Sequence, residues 1–147
     1  ELRQEPLCQG RVMVIAPPGR WSPAELAQPL PVTALAGEPM IGIAVQDALG
    51  SLLQSHLMHV DPPPQISVWV QTYQLACALV AQGAGLALVD PFTASQGDGD
   101  VVQTRPLALE LDVVLYAVYR LDSQLNPLQE HFIELVRQLA RQTLAPG

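Results

Sequence analysis

The chain has 147 residues, 49% of them hydrophobic and 14% charged, a composition that buries a core and lies outside the disordered class. Seven arginines and no lysine stand against 14 acidic residues, for a net charge of −7. These residues therefore repel a phosphate backbone, which excludes direct nucleic-acid binding by this segment. No apolar run reaches the roughly 18 residues of a membrane helix, and the opening ELRQEPLCQG carries no apolar signal core. The expectation is a soluble cytoplasmic protein without a membrane partner.

In chain order, residues 11–16 (RVMVIA) read as a strand, stopped by Pro17, Pro18 and Gly19. Ser22-Pro23-Ala24-Glu25 is a capping box that opens a helix, with proline at its first position. Residues 31–36 read as a second short strand. Between 45 and 60, Leu49, Leu52, Leu53, Leu57 and Val60 make one apolar helical stripe. The run Asp61-Pro62-Pro63-Pro64 ends that helix, and 66–70 (ISVWV) is a third strand. Thr72 caps a helix over 73–82, which Gly83 terminates.

Residues 86–89 are a fourth strand, ending at Asp90-Pro91, and 95–100 (SQGDGD) form a polar loop. Residues 111–119 alternate little, which predicts a strand buried on both faces. Asn126-Pro127-Leu128-Gln129 opens the last helix with a second capping arrangement, and Phe132, Leu135, Val136 and Leu139 form its expected core stripe. Glu130 and Glu134 sit early in it and Arg137 and Arg141 late, opposing the helix dipole at both ends. Strands alternating with helices predict an α/β protein with a mainly parallel sheet.

Catalytic and metal constellations are absent from the pattern. His56 and His59 have i, i+3 spacing, but His56 falls within the leucine stripe, and no Cys or carboxylate pair completes a zinc set. The reading is a packed His56 and an exposed His59, with His131 among surface charges. No Ser-His-Asp set or carboxylate pair is present, so neither an enzyme nor a bound cofactor or metal is expected. Cys8 and Cys77 have no motif spacing and read as two reduced, buried thiols. The Gly-Ala-Gly of 83–85 follows a helix and precedes a strand, the reverse of a dinucleotide fingerprint. Gly83 supplies a helix stop and Gly85 a close backbone approach.

The stretch 69–94, WVQTYQLACALVAQGAGLALVDPFTA, resembles the signature of LysR-type effector domains: a strand, a short helix ending L-V-x-x-G-x-G, a strand and a proline. Pro6-Leu7 before the strand at 11 and Arg105-Pro106-Leu107 before the strand at 111 resemble the hinge connections of that family. The ending 89–94 (VDPFTA) resembles members that sense opines, lysine and related amino acids, with Asp90 where many of those carry Asn.

The resemblance implies a two-lobe fold like that of periplasmic binding proteins, with one lobe complete and the other partial. Residues 8–104 would be the complete second lobe. Residues 1–7 and 105–147 would be hinge segments and the C-terminal part of the first. It further implies a small-molecule effector (an amino acid or opine), DNA contact only through an absent N-terminal winged helix-turn-helix, and assembly as a homodimer or homotetramer. The strand at 11–16, the helix at 45–59 and the last helix are the plausible contact elements.

In such a cleft, ligands lie against strand ends and helix N-termini. The effector-binding candidates are accordingly Ala36, Gly37, Glu38, Thr72, Tyr73, Pro91 and Phe92. Thr72 is either a pocket residue or only an N-cap, and Glu38 either meets a cationic ligand amine or is solvated. Phe92 either stacks on ligand or plugs the lobe core. Two rivals to a regulatory domain are a periplasmic solute-binding protein and a small α/β enzyme.

Overall fold

The structure, a computed structural model, describes residues 1–44, 48–96, 100–122 and 124–145. The strands are β1 (Leu2–Arg11), β2 (Met13–Ala16), β3 (Leu30–Pro31), β4 (Pro39–Ile43), β5 (Gln65–Val70), β6 (Ala87–Val89), β7 (Gln103–Ala108) and β8 (Asp112–Arg120). The helices are α1 (Pro23–Leu26), α2 (Ala48–Leu57), α3 (Tyr73–Ala81), α4 (Pro91–Ser95) and α5 (Pro127–Leu144), with a 3-10 turn at Val32–Leu35. The start of the helix expected from 45 and the centre of the loop expected at 95–100 lie outside the described residues.

Two regions share the chain. The first is a lobe built on the strand order β3-β7-β2-β6. The pair β4-β5 continues this sheet through a parallel bridge of Met40 to Leu86, closed by Ile41 N–H to Leu86 O at 2.8 Å and Leu86 N–H to Pro39 O at 2.9 Å. Period-2 alternation sorts the side chains. Val14 and Ala16 of β2 point to one face with Leu88, while Ile15 points to the other with Ala87 and Val89. The first face is covered by α1, the 3-10 turn and α2 through Leu35 and Leu53, the second by α3 and α4 through Ala76, Val80 and Ala94.

The second region is an antiparallel ribbon of β1 and β8, running from Leu2 opposite Arg120 to Arg11 opposite Asp112. α5 lies along it. β1 passes into β2 through Val12, and β7 into β8 through residues 109–111.

Several expectations change. The sheet is mixed: β4-β5 and β3-β7 are parallel, whereas β2 is antiparallel to both β6 and β7. The strand expected at 31–36 is two residues long and gives way to the 3-10 turn. β1, β4, β7 and the short α4 carried too little pattern to be expected at all.

β8 is half-exposed along its length rather than buried on both faces, because a two-stranded ribbon with one helix covers only one of its faces. His56 is exposed, since Leu53 and Val60 carry the buried side of this segment and His56 falls outside it. Both cysteines are free and half-buried. The last helix turns most of its expected stripe outward: Phe132 is 63% and Leu139 64% exposed and Leu135 is exposed too, while Val136 is half-buried with Ile133 and Arg137, and Ala140 is buried.

Candidate functional site

The lobe has one edge where chain ends converge. β4 and β5 run parallel with Ile43 opposite Val70, β6 runs parallel to β4, and Met13 at the start of β2 lies opposite Val89. The C-terminal ends of β4, β5 and β6 therefore share an edge with the crossing into the ribbon. This is where open α/β sheets place ligands.

Two helices begin at that edge. Thr72 is extended and accepts from Leu75 N–H through Oγ1 at 3.1 Å, so the positive end of α3 is capped by an uncharged hydroxyl. Asp90 caps α4, accepting from Phe92 N–H and Thr93 N–H at 2.9 Å each and from the Thr93 hydroxyl at 2.5 Å. A carboxylate of the protein thus already occupies the start of α4, whereas among the described residues the first turn of α3 carries no acidic side chain. A ligand anion has its favourable field at α3.

Cys77, on the inner side of α3, has its thiol pushed up from 9.0 by burial, with Asp90 adding to the effect. It is a protonated thiol, not a nucleophile.

The sequence candidates separate into two groups. Thr72, Tyr73, Pro91 and Phe92 all come to the converging edge. Thr72 is exposed, Tyr73 and Phe92 are half-buried, and Pro91 is buried. Ala36, Gly37 and Glu38 sit at the opposite end of the same strands, before the first residue of β4. There Gly37 N–H donates to Pro62 O at 3.0 Å, and Gln65 N–H donates to Glu38 O at 2.9 Å. Glu38 pairs with Arg20 at 2.6 Å rather than facing the edge.

The reason for this split is register. Residues 36–38 precede β4, and ~3.3 Å of rise per residue carries them a full strand length from its C-terminal end. As the end of a strand over 31–36 this turn is expected at the converging edge, but it follows the 3-10 turn and leads into β4 at the opposite end. Asp90 is the N-cap of α4, a role that Asp-Pro before a helix start signals.

Enclosed space in the lobe is small. A cavity of about 50 Å³ lies between α2 and the β4-β5 edge, lined by Gly42, Ile43, Leu53, Trp69 and Tyr73. It is well below the roughly 300 Å³ that a metabolite pocket needs, and among the described residues this edge offers open space instead, with a hollow of about 400 Å³ beside Met13 and Pro91. A wider hollow of about 730 Å³ sits on the ribbon beside α5. Its charged groups include Glu5 and Arg137, which already pair with each other. Among the described residues no group of His, Cys, Asp or Glu is arranged to hold a metal ion. No helix there is long and apolar enough to cross a membrane.

A family model for the LysR substrate binding domain matches residues 1–141. The chain belongs to the LysR substrate-binding domain family. This LysR domain is 38% identical over 77 residues to the HTH-type transcriptional regulator DgcR of a Pseudoalteromonas species, a match covering 52% of the chain and 26% of DgcR.

Its fold matches HinK, a LysR family transcriptional regulator from Pseudomonas aeruginosa, with a TM-score of 0.69 at 22% identity over 95% of the chain and 48% of HinK. It also matches the BenM effector binding domain with its effector benzoate, with a TM-score of 0.69 at 16% identity over 99% of the chain and 67% of that domain. The chain therefore spans about half of HinK and a quarter of DgcR. The mixed α/β fold is that of LysR effector-binding domains, which have the two-lobe architecture of periplasmic binding proteins.

Proposed function

We propose that this chain is the ligand-sensing part of a LysR-type transcription factor, binding a small carboxylate-bearing metabolite of the amino acid or opine class. The converging edge carries this reading, with the hydroxyl-capped start of α3 at Thr72 and Tyr73 as its anion-binding element. BenM, a structural neighbour, has benzoate as its effector, a carboxylate of comparable size. The family match favours a regulator over a solute-binding protein.

In this reading the lobe from about residue 12 to 108, close to the expected 8–104, is the second lobe, and the ribbon with α5 is part of a first lobe completed by polypeptide outside these 147 residues. The outward apolar stripe of α5 supports that division, as does the third of the BenM domain without a counterpart here. Closure of the lobes on ligand would be passed to a DNA-binding segment outside this chain, in a cytoplasmic homodimer or homotetramer. Such a switch requires unequal ligand affinity for the two arrangements.

The test is thermal unfolding of the chain joined to its upstream residues, scanned against amino acids, opines and aromatic acids. A ligand at about 100 times its dissociation constant adds about 2.7 kcal/mol, several degrees for a domain of this size. Thr72→Asp keeps a capping oxygen but sets a negative charge at the α3 start. It should leave the unliganded midpoint near its original value and abolish the shift. A shift that survives Thr72→Asp would place the ligand elsewhere.

A further inference from the structure

Three segments meet at Gly10, the penultimate residue of β1. A methyl group built on Gly10 would lie 2.7 Å from Cγ of Pro91 and 2.9 Å from Cδ1 of Leu144, closer than packed carbon atoms approach. Space rather than backbone conformation demands glycine here. Pro91 is the first residue of α4 and is buried. Leu144 is the last residue of α5.

The two helices have different allegiances. α4 is fixed to the end of β6 by the Asp90 cap. α5 is fixed to the ribbon upstream: Arg137 pairs with Glu5, which also accepts from the Tyr119 hydroxyl at 3.1 Å, and Ala140 is buried. The C-terminal part of α5 reaches the lobe, where it meets α4 and where Thr143 and Leu144 lie beside Pro91 and Ala94. Beside the contact is a hollow of about 400 Å³ lined by Gln9, Arg11, Met13, Thr104, Pro106 and Thr143, which leaves Leu144 room to leave its seat.

We infer that the last turn of α5 is a strap across the hinge, and that the seating of Leu144 and Pro91 on Gly10 is the latch that sets the resting angle between ribbon and lobe. The covalent crossings at Val12 and at residues 109–111 are short; Val12 is buried and accepts from Leu107 N–H at 3.0 Å, and Leu109, Leu111 and Val113 pack against the lobe core. The latch supplies a third, breakable tie whose release changes the angle. It also starts at the residue after Asp90, so an effector at the converging edge sits next to the tie it would load. This inference rests on the two-lobe reading, but its measurement needs no ligand.

The experiment is a spin-label distance measurement between Gln4→Cys on the ribbon and Ser51→Cys on α2, both exposed, in a chain carrying Cys8→Ser and Cys77→Ala. The reference chain should give one narrow distance. Leu144→Ala removes the seated side chain, and Gly10→Ala forces both partners off, so each should add a second population at a different distance. Leu139→Ala, on the outward side of the same helix, should leave the single distance unchanged.

A single narrow distance in Leu144→Ala overturns the inference whether or not Gly10→Ala folds. A second population in Leu139→Ala as well overturns it too, since general loosening of α5 would then be the cause. Failure of the effector reading appears separately, as a flat thermal scan with the distance result intact.

Discussion

The lobe and the ribbon both carry rows of large apolar side chains, which end in opposite states. The lobe covers both faces of its sheet, so Ile15, Leu35, Val80 and Val89 reach 0% exposure. The ribbon has one helix over one face, so Val118 at 53% and Phe132 at 63% remain open. Hydrophobicity alone does not decide burial; the number of covering layers does. Breaking the comparison most strongly means making equal truncations in the two regions. Ile15→Ala should cost about 2–5 kcal/mol, whereas Phe132→Ala should change stability by about 0.5 kcal/mol or less. Urea unfolding followed by circular dichroism reads both, and similar losses at the two positions would refute the asymmetry.

The lobe also carries a buried charged clamp that, among the described residues, has no equivalent on the ribbon. Arg105 is 6% exposed, donates through Nε to Gln28 O at 2.9 Å and through Nη2 to Pro29 O at 3.3 Å, and lies 5.1 Å over the Trp21 ring. Gln103, two residues earlier on the same face, exchanges hydrogen bonds with both backbone groups of Trp21, at 2.7 and 2.9 Å. Together they tie residues 21–29 to β7. Arg105→Met keeps the apolar stem and removes the donors to the Gln28 and Pro29 carbonyls, an expected loss of about 1 kcal/mol. Amide exchange should locate the loosening at residues 21–30. Uniform loosening of the lobe would instead point to a general packing fault.

Legibility followed the range of the interaction. Both capping boxes, Ser22 with Glu25 and Asn126 with Gln129, were readable because every partner lies within three residues. The same holds for the Thr72 cap. Gly85 was readable as a close approach, and a methyl group there would lie 2.4 Å from Pro39 O at a φ of +136°.

β7 was hidden by Pro106, which ordinarily argues against a central strand. It is tolerated because pairing with β2 ends at Pro106 and pairing with β3 begins at Leu107, where Leu107 N–H donates to Val12 O at 3.0 Å. The outward stripe of α5 could not be read locally at all. The helix has two apolar sides, and which is covered depends on a ribbon more than a hundred residues away in part of its sequence. The candidate site was half legible for the same reason. Thr72 and Tyr73 follow a recognisable strand, while Glu38 precedes an unrecognised one.

The smallest expected effect sharpens how α5 is held. Arg137 lies between Glu134 of its own helix and Glu5 of β1. The hydrogen bond from Arg137 holds the Glu134 carboxyl below its ordinary 4.5, with Gln138 adding to it, and Arg137 is raised in turn by Glu134. A carboxylate depressed in the folded state contributes stability above its unfolded pKa and loses it as pH falls through the folded value. Glu134→Gln should therefore lower the unfolding midpoint slightly near pH 7. The deficit should shrink as pH falls below the ordinary 4.5 and vanish once pH lies well below the lowered folded value, where Glu134 is protonated in both states. High salt should shrink it too, because the pair is exposed. A deficit that persists at low pH would mean that Glu134 acts through the packing of its side chain over the ribbon, and that α5 is held by Glu5, Arg137 and Ala140 without electrostatic help from its own helix.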